Sequence, residues 1–419
     1  MSQFVIEGGH KLAGTIDVYG SKNAALPLIA ATLLTSESVT LHNIPGISDV
    51  QNMLSIAQAM GANVTQDGTT ITLNTANVDT KKLPTDKVSM LRGSILLMGA
   101  LLGRTRKVHL PQPGGDLIGA RPLTAHLDAF RQLGAKISER RGYVTIDGSS
   151  IAAGRVVLSE FSVTATENIL LLAATLPGTT TIEIAACEPH VVALAQLLTA
   201  MGANISGAGT HTITVTGSET LKGATFTNIP DMLEAGSFIL LGVATQSTLT
   251  ITNTPCQELA LFFKKLDDIK INYEISADRT AVTIKPSTLQ PFKMQSLPYP
   301  GIPTDLQAPF AVIATQTKGT SLIHDPLYES RFRHITELQK MGAVVTVCDP
   351  HRVIIHGPTK LRGRRIPSLD VRSGMTLLIA GLAAKGQTII DNAEIIDRGY
   401  ANLTERLRAV GASIKLEGD

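Results

Sequence analysis

Met60-Gly61-Ala62-Asn63-Val64 is a phrase that returns along the chain. It reappears as Leu133-Gly134-Ala135-Lys136-Ile137, Met201-Gly202-Ala203-Asn204-Ile205, Met341-Gly342-Ala343-Val344-Val345 and Val410-Gly411-Ala412-Ser413-Ile414. A degraded copy stands at Leu266-Asp267-Asp268-Ile269-Lys270-Ile271. The spacing of about 70 residues is longer than a typical solenoid unit, so each copy is expected to be a small βαβ-type fold in itself.

Working outward from the phrase, each copy has the same order of parts. An apolar segment suited to a buried helix comes first, as at 24–34 or 168–175. A β-rich strand follows a turn, as at Val39-Thr40-Leu41 or 179–184. Next comes an amphipathic helix with apolar residues at helical spacing, as at 191–201. The glycine of the phrase stands at that helix's C-terminus, where a positive φ costs glycine little. A strand pair closes the copy, as at Asn63-Val64-Thr65 with Thr70-Ile71-Thr72-Leu73. Six copies most simply form two halves of three, with the apolar first helices inside and the sheets outside. The division is expected near residue 230, with the N-terminal strand pairing to the last copy. The halves are then 22–229 and 1–21 plus 230–419, with a ligand cleft between them.

Composition bounds the function. The 419 residues are 43% hydrophobic and 17% charged, which fits a folded globular chain rather than a disordered one. A net charge of +2 gives no reason to expect a nucleic-acid coat or an anionic membrane as partner, so any phosphate must be held by a local cluster of cations. The first residues lack the basic and apolar regions of a signal peptide, and the longest apolar runs, such as 95–102, are far shorter than a bilayer span. Cys187, Cys256 and Cys348 form no C-x-x-C pair, which argues against a disulfide framework or a zinc site. Ten histidines, His109, His126 and His334 among them, show no metal-ligand spacing and are expected to be structural. A cytosolic protein is expected.

Aligning the copies shows charge recurring where helices begin. At first helices stand Lys22-Asn23, Arg92, Asp231, Asp305 and Asp370 with Arg372. At second helices stand Arg121, Glu188, Arg331 and Arg398, each about a dozen residues before the closing glycine. Helix N-termini favour anions, and arginine holds carboxylate or phosphate bidentately. Six cations at equivalent places therefore suit a small, highly charged anion. Asp305 reads equally as a helix N-cap or as a base. Pro27 predicts that the helix after Lys22 is kinked or begins nearer Leu26. The stretch 109–122 carries three glycines and three prolines, which rule out a continuous helix or central strand and leave a loop bearing Asp116 and Arg121. An acid beside an anion-binding group is what a lid over a charged substrate needs. Neither a G-x-x-x-x-G-K-[ST] phosphate loop nor a dinucleotide fingerprint is present.

Five stretches together resemble the UDP-N-acetylglucosamine enolpyruvyl transferases (1-carboxyvinyltransferases), over essentially the whole chain. They are Gly20-Ser21-Lys22-Asn23-Ala24-Ala25-Leu26-Pro27, the loop from Pro113 to Pro122, Pro303-Thr304-Asp305-Leu306-Gln307, Arg331-Phe332 and Ile396-Asp397-Arg398-Gly399-Tyr400. The resemblance implies a two-domain inside-out α/β barrel of six repeated units. It implies transfer of the enolpyruvyl group of phosphoenolpyruvate to the 3-hydroxyl of UDP-N-acetylglucosamine by addition and elimination, releasing phosphate. No metal or organic cofactor, nucleic acid or membrane is called for, and a monomer is expected.

By the same resemblance Lys22 and Asn23 contact phosphoenolpyruvate and the intermediate. Arg121, Arg331, Arg372 and Arg398 hold its phosphate and carboxylate. Arg92 and Arg121, Pro122, Leu123, Thr124 and Ala125 contact the nucleotide, with Ser162, Val163 and Leu327 lining the same site. Asp305 accepts the hydroxyl proton and Asp370 supports proton transfer, with Lys22 and Arg398 completing the catalytic set. One position departs from the pattern. Most members carry cysteine where this chain has Asp116, and that thiol is the proposed acid and the group alkylated by fosfomycin; a subset carries aspartate. A buried carboxylic acid can still donate a proton, but it is a poor nucleophile toward an epoxide. Resistance to fosfomycin is therefore expected. The sister family acting on shikimate 3-phosphate has Lys-Ser in place of Lys22-Asn23 and lacks the Pro-Gly-Gly-Asp loop. A catalytically silent nucleotide-sugar binder is the alternative that the missing cysteine suggests.

Overall fold

Each repeat phrase ends a helix, and its glycine takes the left-handed turn that the ending needs. Gly61, Gly134, Gly202, Gly342 and Gly411 all have φ between 92° and 115°. In the degraded copy Lys270 occupies the left-handed C-cap instead, with φ 65°. A side chain is tolerated in that region at some cost in backbone strain.

The computed structural model describes residues 2–114 and 119–418. These form two compact units, one of 2–19, 119–120 and 230–418, the other of 20–114 and 121–229. Each unit contains three copies of the repeat.

In the second of these units the first helices are Lys22–Thr32, Leu97–Thr105 and Val163–Ala173. In the other they are Met232–Ala244, Thr304–Gln316 and Val371–Ala383. These helices are apolar on nearly all sides, so they are stable only when enclosed. Every residue of Met232–Ala244 is buried, as is 371–382. The second helices bury a single stripe, as in Ala260–Ile269, where Phe262, Phe263, Leu266 and Ile269 face the core. Sheets cover the helices from outside, so each unit is an α/β barrel turned inside out.

Five four-stranded sheets and one three-stranded sheet are found among the described residues. The copies are not self-contained βαβ folds, which corrects the expectation from their spacing. In the third copy the leading strand Arg155–Val157 does run parallel to Thr179–Glu183 around helix Val163–Ala173. In the first copy, however, the parallel strand is Thr225–Thr227, pairing with Ser38–His42. In the fourth it is Ala13–Asp17, pairing with Thr248–Thr252. Strand Gln3–Gly8 lies between Gly386–Asp391 and Ser413–Glu417 and completes the sixth copy's sheet. Borrowed strands satisfy edges that a copy cannot cover alone, and they close each unit on itself.

Three local readings are also decided. Helix Lys22–Thr32 begins at Lys22 rather than near Leu26, because Ser21 caps it by accepting from the Ala24 N–H. Pro27 lies inside it, as Pro309 lies inside Thr304–Gln316. Each proline stands five residues from its helix start, where the only hydrogen bond lost is to the carbonyl four residues back. Asp305 is not an N-cap: Pro303 holds that position, and Asp305 projects from the first turn. The loop expected from 109 begins later, since Lys107–Pro111 is an edge strand paired with Tyr143–Asp147. Pro111 is acceptable there because it ends an edge strand.

Candidate active site

In the unit that contains Asp305, four repeat-equivalent charged residues form one network. Asp305 Oδ1 accepts from Arg331 Nη2, and Asp305 Oδ2 is 3.4 Å from Arg372 Nε. Arg331 Nη1 also faces Asp370 Oδ1 at 3.9 Å, and its Nε donates to Thr304 Oγ1 at 3.0 Å. Thr304 in turn donates to Asp325, whose other oxygen accepts from the Leu327 N–H at 3.0 Å. Leu327 itself is exposed on that rim. Asp370 caps helix Val371–Ala383, accepting from the N–H groups of Arg372 and Ser373 at 3.0 Å each. Asp231 caps Met232–Ala244 in the same manner.

Burial ranks these groups. The side chains of Arg331, Arg372 and Asp370 are 6–8% exposed, whereas that of Asp305 is 26% exposed. Asp305 is thus a carboxylate with access to solvent, clamped by two guanidiniums held from behind. Burial by itself would lower the Arg372 pKa, but Tyr400, Asp305 and Asp231 outweigh it and raise the guanidinium further. Its charge is therefore permanent, as an anion-binding group requires. Beside the network, burial lowers the His334 imidazole to about 4, with Asp370 opposing and Arg331 assisting. It is neutral at pH 7, in line with a structural role.

The other unit holds Lys22, Arg92 and Arg121, while Arg398 belongs to the unit of Asp305. Lys22 Nζ is 2.6 Å from Asp49 Oδ2, and both side chains are largely buried. Arg92 Nη2 donates to the Arg121 carbonyl at 2.7 Å. Arg92 and Arg121 line a cavity of about 330 Å³ with Gln112, Pro122, Leu123, Thr124, Leu127, Arg131 and Glu139. Thr124 begins helix Thr124–Gln132, and Ala125 is buried beneath it. Ser162 caps helix Val163–Ala173, which opens with Val163. Asn23 is half-buried in the first turn beside Lys22. Arg121, Arg331 and Arg398 stand in the segments just before their second helices rather than in the helices themselves. Arg398 ends the turn Ala393–Arg398. Asp116 lies outside the described residues.

Several contributors went unread in the sequence. Asp49 stands at the start of the second helix of copy one, the position already marked by charge in other copies, so the repeat register could have found it. Asp325, Tyr400, Arg131 and Glu139 carry no such signal.

A family model described as EPSP synthase (3-phosphoshikimate 1-carboxyvinyltransferase) matches residues 6–407. The chain belongs to that family of carboxyvinyl, or enolpyruvyl, transferases, and is an enzyme of the transferase class. A Bacteroides thetaiotaomicron relative named UDP-N-acetylglucosamine 1-carboxyvinyltransferase is 42% identical across 99% of both chains. A Bacillus subtilis relative named UDP-N-acetylglucosamine 1-carboxyvinyltransferase 2 is 39% identical over 99% of this chain and 96% of its own. Among solved structures, the enolpyruvyl transferase NikO from Streptomyces tendae superposes with a TM-score of 0.89 at 27% identity, covering 99% of each chain. EPSP synthase from Acinetobacter baumannii gives 0.73 at 20% identity over the full length of both, a likeness of fold alone.

Proposed function

We propose that the enzyme transfers the enolpyruvyl group of phosphoenolpyruvate to the 3-hydroxyl of UDP-N-acetylglucosamine, releasing phosphate, as the first committed step of peptidoglycan precursor synthesis. The observation that carries the reading is the clamp on Asp305: one accessible carboxylate held by two buried arginines at a helix start. The names of full-length relatives at about 40% identity support the same substrates.

In this reading the sugar 3-hydroxyl loses its proton to Asp305 as its oxygen bonds to C2 of phosphoenolpyruvate. Asp116 delivers a proton to C3 in the same addition. The C2–O bond to phosphate then breaks as C3 returns a proton to the Asp116 carboxylate, which regenerates the enol ether double bond, and the proton held by Asp305 leaves with the phosphate. Lys22, Arg121, Arg331, Arg372 and Arg398 offset the charge of the phosphate and carboxylate throughout. Asn23 orients the small substrate and Asp370 supports proton transfer by holding Arg331. Arg92, Pro122, Leu123, Thr124, Ala125, Ser162, Val163 and Leu327 accommodate the nucleotide sugar. No metal or organic cofactor takes part in this chemistry, and the enzyme works as a cytosolic monomer.

Asp116 places the enzyme in the subset of the family with aspartate for cysteine, and its carboxyl resists alkylation by fosfomycin. The test is phosphate release from phosphoenolpyruvate with UDP-N-acetylglucosamine, across pH, for wild type, Asp116→Cys and Asp116→Asn. Activity in the first two and loss in the third is expected, with fosfomycin sensitivity only in the cysteine variant. No phosphate release by wild type would overturn the reading, and time-dependent inactivation of wild type by fosfomycin would overturn the resistance.

A further inference from the structure

Arg372 is held from two sides, and only one of them is a carboxylate. Its Nη1 donates to Tyr400 Oη at 2.9 Å, and Tyr400 Oη lies 2.9 Å from Ser237 Oγ. Ser237 Oγ donates to the Leu233 carbonyl at 2.8 Å. The directions follow from chemistry. Arginine can only donate and a carbonyl can only accept, so Ser237 uses its proton on Leu233 and Tyr400 must donate to Ser237. The result is a one-way chain from Arg372 through Tyr400 and Ser237 into the backbone of helix Met232–Ala244, with every member buried.

The packing holds the tyrosine where this chain needs it. Its ring is 1% exposed and meets Phe238 edge-on at 6.4 Å. Gly399 allows the approach, since a Cβ there would stand 2.4 Å from Val371 Cγ1, the residue before Arg372. The stretch Arg398-Gly399-Tyr400 thus seats on the start of helix Val371–Ala383 and places a hydroxyl against the guanidinium.

We propose that Tyr400 is a positioning residue that keeps Arg372 directed at an incoming carboxylate or phosphate and stops it from collapsing onto Asp305. The proposal rests on the enolpyruvyl transfer reading for the identity of that anion. Without the hydroxyl, Nη1 is buried with no acceptor, and the guanidinium turns toward the nearby carboxylates. Asp305 is then paired more tightly and the substrate anion less well.

The test compares wild type, Tyr400→Phe and Ser237→Ala. Phenylalanine keeps the ring and its contact with Phe238. The expected result is a rise of about tenfold in KM for phosphoenolpyruvate in Tyr400→Phe, the scale of one lost hydrogen bond to a charged group. The KM for UDP-N-acetylglucosamine is expected to stay within twofold. Ser237→Ala is expected to move the same constant in the same direction by less, because Tyr400 can still accept from Arg372. A purely structural role would lower Tm and active fraction without splitting the two KM values, and that pattern would overturn the proposal. A crystal structure of Tyr400→Phe decides the point without turnover. An Arg372 Nε–Asp305 Oδ2 distance shorter than 3.4 Å supports positioning, and an unmoved guanidinium overturns it. Absence of turnover in wild type would instead count against the substrate reading alone.

Discussion

Lys22 and Asp49 form an ion pair of 2.6 Å across the first copy, joining the start of its first helix to the start of its second. The corresponding places in the fifth copy are linked with the charges reversed, Arg331 before the second helix reaching back to Asp305 on the first. Charge therefore ties first helix to second helix in both units, and each tie includes a residue assigned to substrate.

The Lys22–Asp49 tie predicts a loss that is not confined to charge. Asp49→Ala removes the 2.6 Å ion pair from a mostly buried ammonium, which costs about 1.5–3 kcal/mol. A lowered unfolding midpoint and at least a tenfold fall in kcat/KM for phosphoenolpyruvate are expected. A double-mutant cycle with Lys22→Ala should show losses that are less than additive, since the two side chains share a contact. Additive losses would contradict the tie.

Asp305→Asn keeps the shape of the clamp but removes the proposed base. Turnover is expected to fall by about 10²–10⁴-fold, the usual contribution of a general base. Binding of phosphoenolpyruvate, measured by calorimetry, should persist because Arg331 and Arg372 keep their charges. Retention of near-normal kcat would show that the hydroxyl proton goes elsewhere.

Arg406 should matter for stability and not for chemistry. It pairs with buried Glu234 at 2.7 and 3.0 Å and stacks 4.0 Å from the Tyr19 ring. Burial raises the Glu234 carboxyl, and Arg406 opposes that rise. Arg406→Ala leaves the carboxylate buried without its counter-charge, at about 3–5 kcal/mol. Urea denaturation should show the loss, while kcat per folded molecule stays near wild type.

Two buried imidazoles contribute to the acid limb of stability. Burial lowers His126 to about 3, with Arg92 assisting, and lowers His334 to about 4. Both folded values lie below the unfolded value of 6.5, so the stability they contribute is present above pH 6.5 and is lost as pH falls toward the folded values. Each contributes a slope of about 1.4 kcal/mol per pH unit in that window. His334 is fully buried, so His334→Leu removes its slope while keeping the site filled. Denaturation midpoints between pH 4.5 and 6.5 should fall less steeply in the variant, and parallel curves would contradict the assignment.

Much of this architecture was legible because it is written in local chemistry. The glycine of each repeat phrase has to take positive φ, and the apolar first helices have to be enclosed, whatever surrounds them. Charge at helix starts marked Lys22, Arg92, Arg121, Asp305, Arg331, Asp370, Arg372 and Arg398 before any contact was known. Asp305 was harder to read, since an aspartate two residues after a proline suits a cap as well as a base. Its displacement by Pro303 from the cap position is a matter of backbone angles that composition does not reveal. Pro27 left a kink or a start near Leu26 open, and only the later start is excluded: a proline in the second turn removes one hydrogen bond, and an enclosed helix that begins at Lys22 tolerates that loss.

By itself the sequence determined the sixfold repeat, the alternation of enclosed and half-enclosed helices, and the recurrence of charge where helices begin. These depend on side-chain type and spacing within a few turns of chain. Only the tertiary structure decided which copy lends a strand to which, that Asp49 answers Lys22, and that Tyr400 stands behind Arg372 through Ser237. Those pairings join residues far apart in the chain, as Ser237 and Tyr400 are, and their energies come from burial that exists only after the helices have packed.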